Sequence, residues 1–113
     1  MRLNHVALTV ADRPRSAAFY AEHFGMRDRV HDDEHLLILA SSDGSLLALG
    51  EGSPPSDLGR LHFGFQAAGQ DEVRAARERL RVAGVEEIEW QDDGVVRVQV
   101  ADPDGYRVEL YSY

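Results

Sequence analysis

Residues 3–25 read LNHVALTVADRPRSAAFYAEHFG, and the rest of the chain is most easily understood from this stretch. Val6, Leu8 and Val10 alternate with His5, Ala7 and Thr9. That two-residue period marks a strand with one buried face, expected over Leu3–Val10. Asp12 is placed to cap a helix, with Pro14 in the first turn, where a missing N–H costs nothing. Ala17, Tyr20, Ala21 and Phe24 then recur at helical spacing, and Gly25 suits the left-handed residue that closes a helix.

Three short strands are expected next, at Met26–His31, His35–Ala40 and Ser45–Leu49, with Asp43-Gly44 as the hairpin turn between the last two. After the Gly-, Pro- and Ser-rich run GEGSPPSDLG the pattern starts again. Leu61–Ala67 reads as a strand, and Asp71–Ala83 as a helix with Val73, Ala76, Leu80 and Ala83 on one face. Glu86–Trp90, Val95–Ala101 and Tyr106–Tyr111 read as strands, with Asp104-Gly105 as the last turn. The order βαβββ therefore occurs twice, and landmarks recur in sequence: His5 as His62, Gly25 as Gly84, Asp43-Gly44 as Asp104-Gly105. Such an internal repeat sets the architecture. The expectation is a single α+β domain over 1–113, with module one at about 1–50, a linker at about 51–59 and module two at about 60–113. Its paired βαβββ modules would form a cup-shaped, barrel-like mixed sheet with the helices outside.

Composition removes several classes of function. The 113 residues carry a net charge of −8 with no basic stripe, which argues against nucleic acid and anionic membrane as partners. The longest apolar run, Leu36–Ala40, is far too short to span a bilayer. No apolar segment of signal-peptide type follows Met1-Arg2, so a cytoplasmic protein is expected. There is no cysteine, and all twelve basic residues are arginine. Thiolate metal sites, cysteine nucleophiles and lysine Schiff bases are thereby excluded.

Strand parity sorts the remaining polar residues. If Val6, Leu8 and Val10 lie under the first helix, His5, Ala7 and Thr9 point the other way. By the same rule Leu61, Phe63 and Phe65 go under the second helix, which leaves His62, Gly64 and Gln66 on the open face. Val108 and Leu110 go inward, so Arg107, Glu109 and Tyr111 share that open face. Arg97 and Gln99 join them, and the repeat partner of their strand offers Leu36 and Ile38. Two histidines and one carboxylate, His5, His62 and Glu109, thus meet the requirement for a facial ligand set on an octahedral Fe(II)-type ion. That set favours Fe(II) or Mn(II), with Zn(II), Ni(II) or Co(II) able to use the same donors. Arg97, Gln99, Arg107, Leu36 and Ile38 are candidate substrate contacts, and Glu109 and Tyr111 candidate catalytic groups. His23, His31 and His35 read as helix-end or loop residues, Asp102 and Asp104 as turn formers, and Asp32-Asp33-Glu34 as a solvated turn.

The sequence also resembles the vicinal oxygen chelate superfamily, which includes glyoxalase, bleomycin-resistance proteins and extradiol dioxygenases. The residues that carry the resemblance are LNHVALTVAD around His5, SAAFYAEHFGM, LHFGF around His62, and DPDGYRVEL with Glu109. It covers essentially the whole chain. It implies paired βαβββ modules, a homodimer, and one divalent ion chelated by a small substrate through two adjacent oxygens, with His5, His62 and Glu109 on ligand positions. The implied function is a metal-dependent lyase, isomerase or dioxygenase. The alternative is a metal-free protein that sequesters a small cationic drug. At the repeat offset of 61, the first module has Ala48 where Glu109 stands; glyoxalase-type isomerases carry a fourth ligand there. Ring-cleaving dioxygenases place His and Tyr before the DPxG turn, whereas Val95–Ala101 has no His and has Gln99 where the Tyr would fall.

Overall fold

A computed structural model describes all 113 residues. The chain divides into two compact units, Met1–Asp57 and Leu58–Tyr113. The first contains β1 (His5–Val10), α1 (Arg13–Phe24), β2 (Asp28–Asp32), β3 (Leu37–Ala40) and β4 (Leu46–Glu51). The second contains β5 (His62–Gln66), α2 (Gln70–Val82), β6 (Glu87–Asp93), β7 (Val95–Ala101) and β8 (Arg107–Ser112). Each unit is thus a βαβββ module, and the fold is α+β. Each has one four-stranded mixed sheet, in the order β1-β4-β3-β2 or β5-β8-β7-β6. The first and last strands of a module run parallel, and the other pairs are antiparallel.

In the first unit, Leu8 and Val10 are buried while His5, Ala7 and Thr9 are exposed, as the alternation requires. Asp12 accepts a hydrogen bond from the Arg15 N–H at 3.0 Å, which satisfies one of the free donors at the helix start. Ser16, Ala17 and Tyr20 form the buried face of α1. The helix ends at Gly25, whose φ of 71° only glycine adopts without strain. Leu37, Leu39, Leu47 and Leu49 complete the core beneath it. β2 is exposed at every position, as suits a charged strand at the sheet edge. Beyond it Asp33 Oδ1 accepts from the N–H groups of His35 and Leu36, both at 2.8 Å, and shapes the turn into β3.

In the second unit, Val73, Ala76 and Leu80 of α2 are buried, with Val96, Val98, Val100 and Val108 of the sheet. Two positions expected on that buried side are exposed. Ala83 is the C-cap of α2 rather than part of its face. Leu61 is 69% exposed, because β5 begins only at His62. α2 has Gly69 at its N-cap with no side-chain cap, and Glu72 instead reaches back to accept the Ala68 N–H at 2.8 Å. Arginines tie α2 to β6: Arg74 to Asp92, and Arg77 to Glu87 at 2.6 and 3.1 Å. The Arg77 guanidinium also lies 4.2 Å above the Trp90 ring. β6 continues beyond Trp90 to Asp93, and Gly94 (φ 80°) makes the tight turn into β7. Asp102 is buried, and its Oδ1 accepts from the N–H groups of Asp104 and Tyr106 at 2.9 Å, so the β7–β8 turn is held from within.

Candidate functional site

The second sheet gathers a polar cluster on the face away from α2. His62 opens β5, and its side chain keeps 39% of its surface exposed. Its Nδ1 lies 2.8 Å from the Arg60 carbonyl. A carbonyl only accepts, so Nδ1 carries the proton and the neutral ring keeps its lone pair on Nε2. Metal-bound histidines are held in this way. Glu109, on β8, has a side chain only 15% exposed. Its Oε1 accepts from Arg97 Nη1 at 3.2 Å and from Gln99 Nε2 at 3.3 Å. Its Oε2 is left facing His62 Nε2 at 3.9 Å.

The neighbouring strands account for this arrangement. Gln99 of β7 stands opposite Glu109 of β8, and Gln99 is buried, 3% exposed. Arg107 Nη1 donates to Gln99 Oε1 at 3.4 Å, which turns the amide NH₂ toward Glu109. Arg97 is shared: Nη1 also donates to Glu89 at 3.1 Å, and Nε donates to Gln91 at 3.0 Å. The hydrogen bond to Glu89, with a further one to Glu109, raises the guanidinium's affinity for its proton, against the opposing effect of burial. In return Arg97 holds the Glu89 carboxyl below its ordinary range. Glu89 and Gln91 belong to this network but were not expected from the sequence. The alternation of Glu89 and Gln91 along β6, opposite Gln99 and Arg97, is the signal that would have found them.

A cavity of about 450 Å³ opens beside the cluster, with His62, Gly64, Arg97, Glu109, Tyr111 and Tyr113 in its lining. Tyr111 packs edge-on against Tyr113, ring centres 5.6 Å apart. Of the residues expected at the site, His62, Glu109, Tyr111, Arg97, Gln99 and Arg107 are therefore all in this one unit. His5, Leu36 and Ile38 belong to the first unit: His5 is exposed at the head of β1, and Leu36 and Ile38 are half-buried at β3.

Strand register makes the repeat exact enough to compare rungs. Gly64 pairs with Glu109 in the second sheet, and Ala7 pairs with Ala48 in the first. Gln99 pairs with Glu109, and Ile38 with Ala48. The face that carries Arg97, Gln99, Arg107 and Glu109 in one unit thus carries Leu36, Ile38, Leu46 and Ala48 in the other.

Two neighbouring donors about 2.1 Å from an ion stand about 3.0 Å apart in an octahedral set and about 3.4 Å apart in a tetrahedral one. The 3.9 Å between His62 Nε2 and Glu109 Oε2 is wider than either. The donor types suit a divalent ion, and the two would share one only with the carboxylate drawn closer to His62. No three His, Asp or Glu side chains are gathered anywhere as a group able to hold a metal ion.

Residues 2–110 match the family model of the Glyoxalase/Bleomycin resistance protein/Dioxygenase superfamily. No curated protein matches the sequence. Among solved structures, a possible glyoxalase from Bacillus cereus is similar with a TM-score of 0.85 and 23% identity, over 99% of each chain. The fosfomycin resistance protein FosX from Listeria monocytogenes gives 0.87 and 22%, covering 100% of this chain and 93% of that one. FosX has also been solved in complex with Mn(II) and sulfate. Lactoylglutathione lyase from Agrobacterium tumefaciens gives 0.78 and 22%, covering 97% and 92%.

Proposed function

The chain belongs to the glyoxalase/bleomycin resistance protein/dioxygenase superfamily, and from that premise we propose that it is a metal-dependent enzyme acting on a small substrate with two adjacent oxygens. The observation that carries the reading is the His62–Glu109 pair. One donor is fixed as a lone pair by its tether to the Arg60 carbonyl, and the other is left free when Oε1 is taken up. The Mn(II) complex of FosX is in keeping with it. In this proposal the working protein is a homodimer.

A bound divalent ion would supply Lewis-acid polarisation of the substrate's two oxygens. The chain's own residues do the rest. Arg97 and Gln99 hold Glu109 Oε1, so the carboxylate presents Oε2 alone. Arg107 keeps the Gln99 amide from flipping. Tyr111, in the cavity lining, offers a phenolic O–H to a substrate oxygen that gains charge. Ala48, on the rung equivalent to Glu109, supplies neither a ligand nor a base, which favours chemistry other than glyoxalase-type isomerisation.

The test is elemental analysis of protein purified without a metal-chelating resin, alongside His62→Ala and Glu109→Ala. About one divalent ion per chain is expected, lost in the variants while they stay folded, because these side chains lie outside the buried cores. No metal after reconstitution with iron, manganese, nickel and zinc would overturn the proposal in favour of a protein that sequesters a cationic drug.

A further inference from the structure

Gly64 is not required by its own backbone. It lies in the middle of β5, and its φ is not among the positive values that reserve a position for glycine. The ladder does not demand it either: the same rung of the first unit, with the same parallel pairing, holds Ala7. What distinguishes the two rungs is the residue opposite, Ala48 in the first unit and Glu109 in the second.

A Cβ built on Gly64 would stand 3.2 Å from Glu109 Cβ, 3.2 Å from the Glu109 carbonyl oxygen and 3.5 Å from Oε2. All three contacts are with Glu109. The first two are tighter than ordinary van der Waals spacing, and the third touches the oxygen that faces His62. Glu109 has little room to yield. Arg97 and Gln99 hold its other oxygen, and its backbone is paired on both sides, with β5 and β7.

We propose that Gly64 is a positioning residue: the missing side chain leaves the room in which Glu109 sits with its Cβ close against β5 and its carboxylate turned toward His62 Nε2. A methyl group there would crowd the Glu109 Cβ and backbone oxygen, so that the side chain has to give by a few tenths of an ångström and carries its carboxylate with it. This rests on the metal-site reading for its consequence, but not for its geometry.

The experiment titrates Co(II) into wild type, Gly64→Ala and Glu109→Ala, following the visible absorption of the bound ion. Metal-free crystals of wild type and Gly64→Ala are compared in parallel. The expected result is a fall of about tenfold or more in Co(II) affinity for Gly64→Ala, the size typical of lost ligand support. A changed absorption band should accompany it, with an unchanged circular dichroism spectrum and the Glu109 carboxylate displaced from His62. The occupancy of the twin rung by Ala7 is the reason to expect a folded variant. Wild-type Co(II) affinity in Gly64→Ala, or an unmoved Glu109 carboxylate in the crystals, would overturn the proposal. Should wild type bind no Co(II), the metal reading falls, and the crystal comparison still decides the role of Gly64.

Discussion

Arg97 is the residue on which the polar cluster turns. It is shared between Glu89 of β6 and Glu109 of β8, on either side of its own strand β7, so its removal leaves two carboxylates on one sheet face without their cation. Glu89 is held below its ordinary range by Arg97. A carboxyl with a lowered folded pKa stabilises the fold above its ordinary pKa, and loses that contribution as pH falls through the lowered value. Arg97→Leu is therefore expected to lower Tm at pH 7. The gap to wild type should narrow as pH falls through the lowered value of the Glu89 carboxyl. A Tm series from pH 3 to pH 8 checks this, and a gap independent of pH would count against the shared-cation account. His62, Glu109, Arg97, Gln99 and Arg107 were legible in the sequence because parity along a strand is a rigid rule. Gln91 was not, because β6 was expected to stop at Trp90; Glu89 lay within the expected strand, but the alternation it begins with Gln91 shows only once the strand runs on to the turn at Gly94.

At the scale of elements, the helices and strands followed from periodicity, and the misplacements lie at their ends. Ala83 fits the apolar stripe of α2 by spacing, but the helix has already closed onto Gly84, whose N–H bonds the Arg81 carbonyl at 3.1 Å. Leu61 fits the alternation of β5 but precedes its first rung. Helix and strand ends are set by capping and pairing partners, which periodicity does not contain. The core positions carry their own prediction. Leu80 is 3% exposed where α2 packs on β7 and β8, and Leu80→Ala is expected to cost about 2–5 kcal/mol in urea unfolding. The β2–β3 turn offers another. Asp33 is lowered to about 2, chiefly by the His35 N–H, then by His31 and the Leu36 N–H. Its contribution is complete above its ordinary pKa of 3.8 and is lost as pH falls through about 2. Asp33→Ala should therefore flatten the acid limb of the Tm profile between about pH 4 and pH 2, and an unchanged limb would show that the turn holds without the carboxylate.

Across the whole molecule, one topology is used twice with opposite chemical content. The repeat was readable from His5 and His62, the closing glycines and the two Asp-Gly turns, and the sheets show it rung by rung. No helix is long and apolar enough to cross a membrane. If the second unit holds a divalent ion, that ion binds the folded chain and stabilises it by mass action: at a free concentration 100 times Kd the gain is about 2.7 kcal/mol. Thermal melts with and without Mn(II) measure it, and His62→Ala should abolish the gain while keeping the metal-free Tm.

Trp90, the chain's single tryptophan, lies in β6 beneath the Arg77 guanidinium. Tryptophan emission, excited at the red edge where Tyr20 of the first unit does not absorb, is therefore a private optical readout of the second unit, while far-UV dichroism averages over both. Overlaying the two signals on one melt separates a concerted collapse from a stepwise one. The chain carries its own built-in chromophore for that comparison and needs no label.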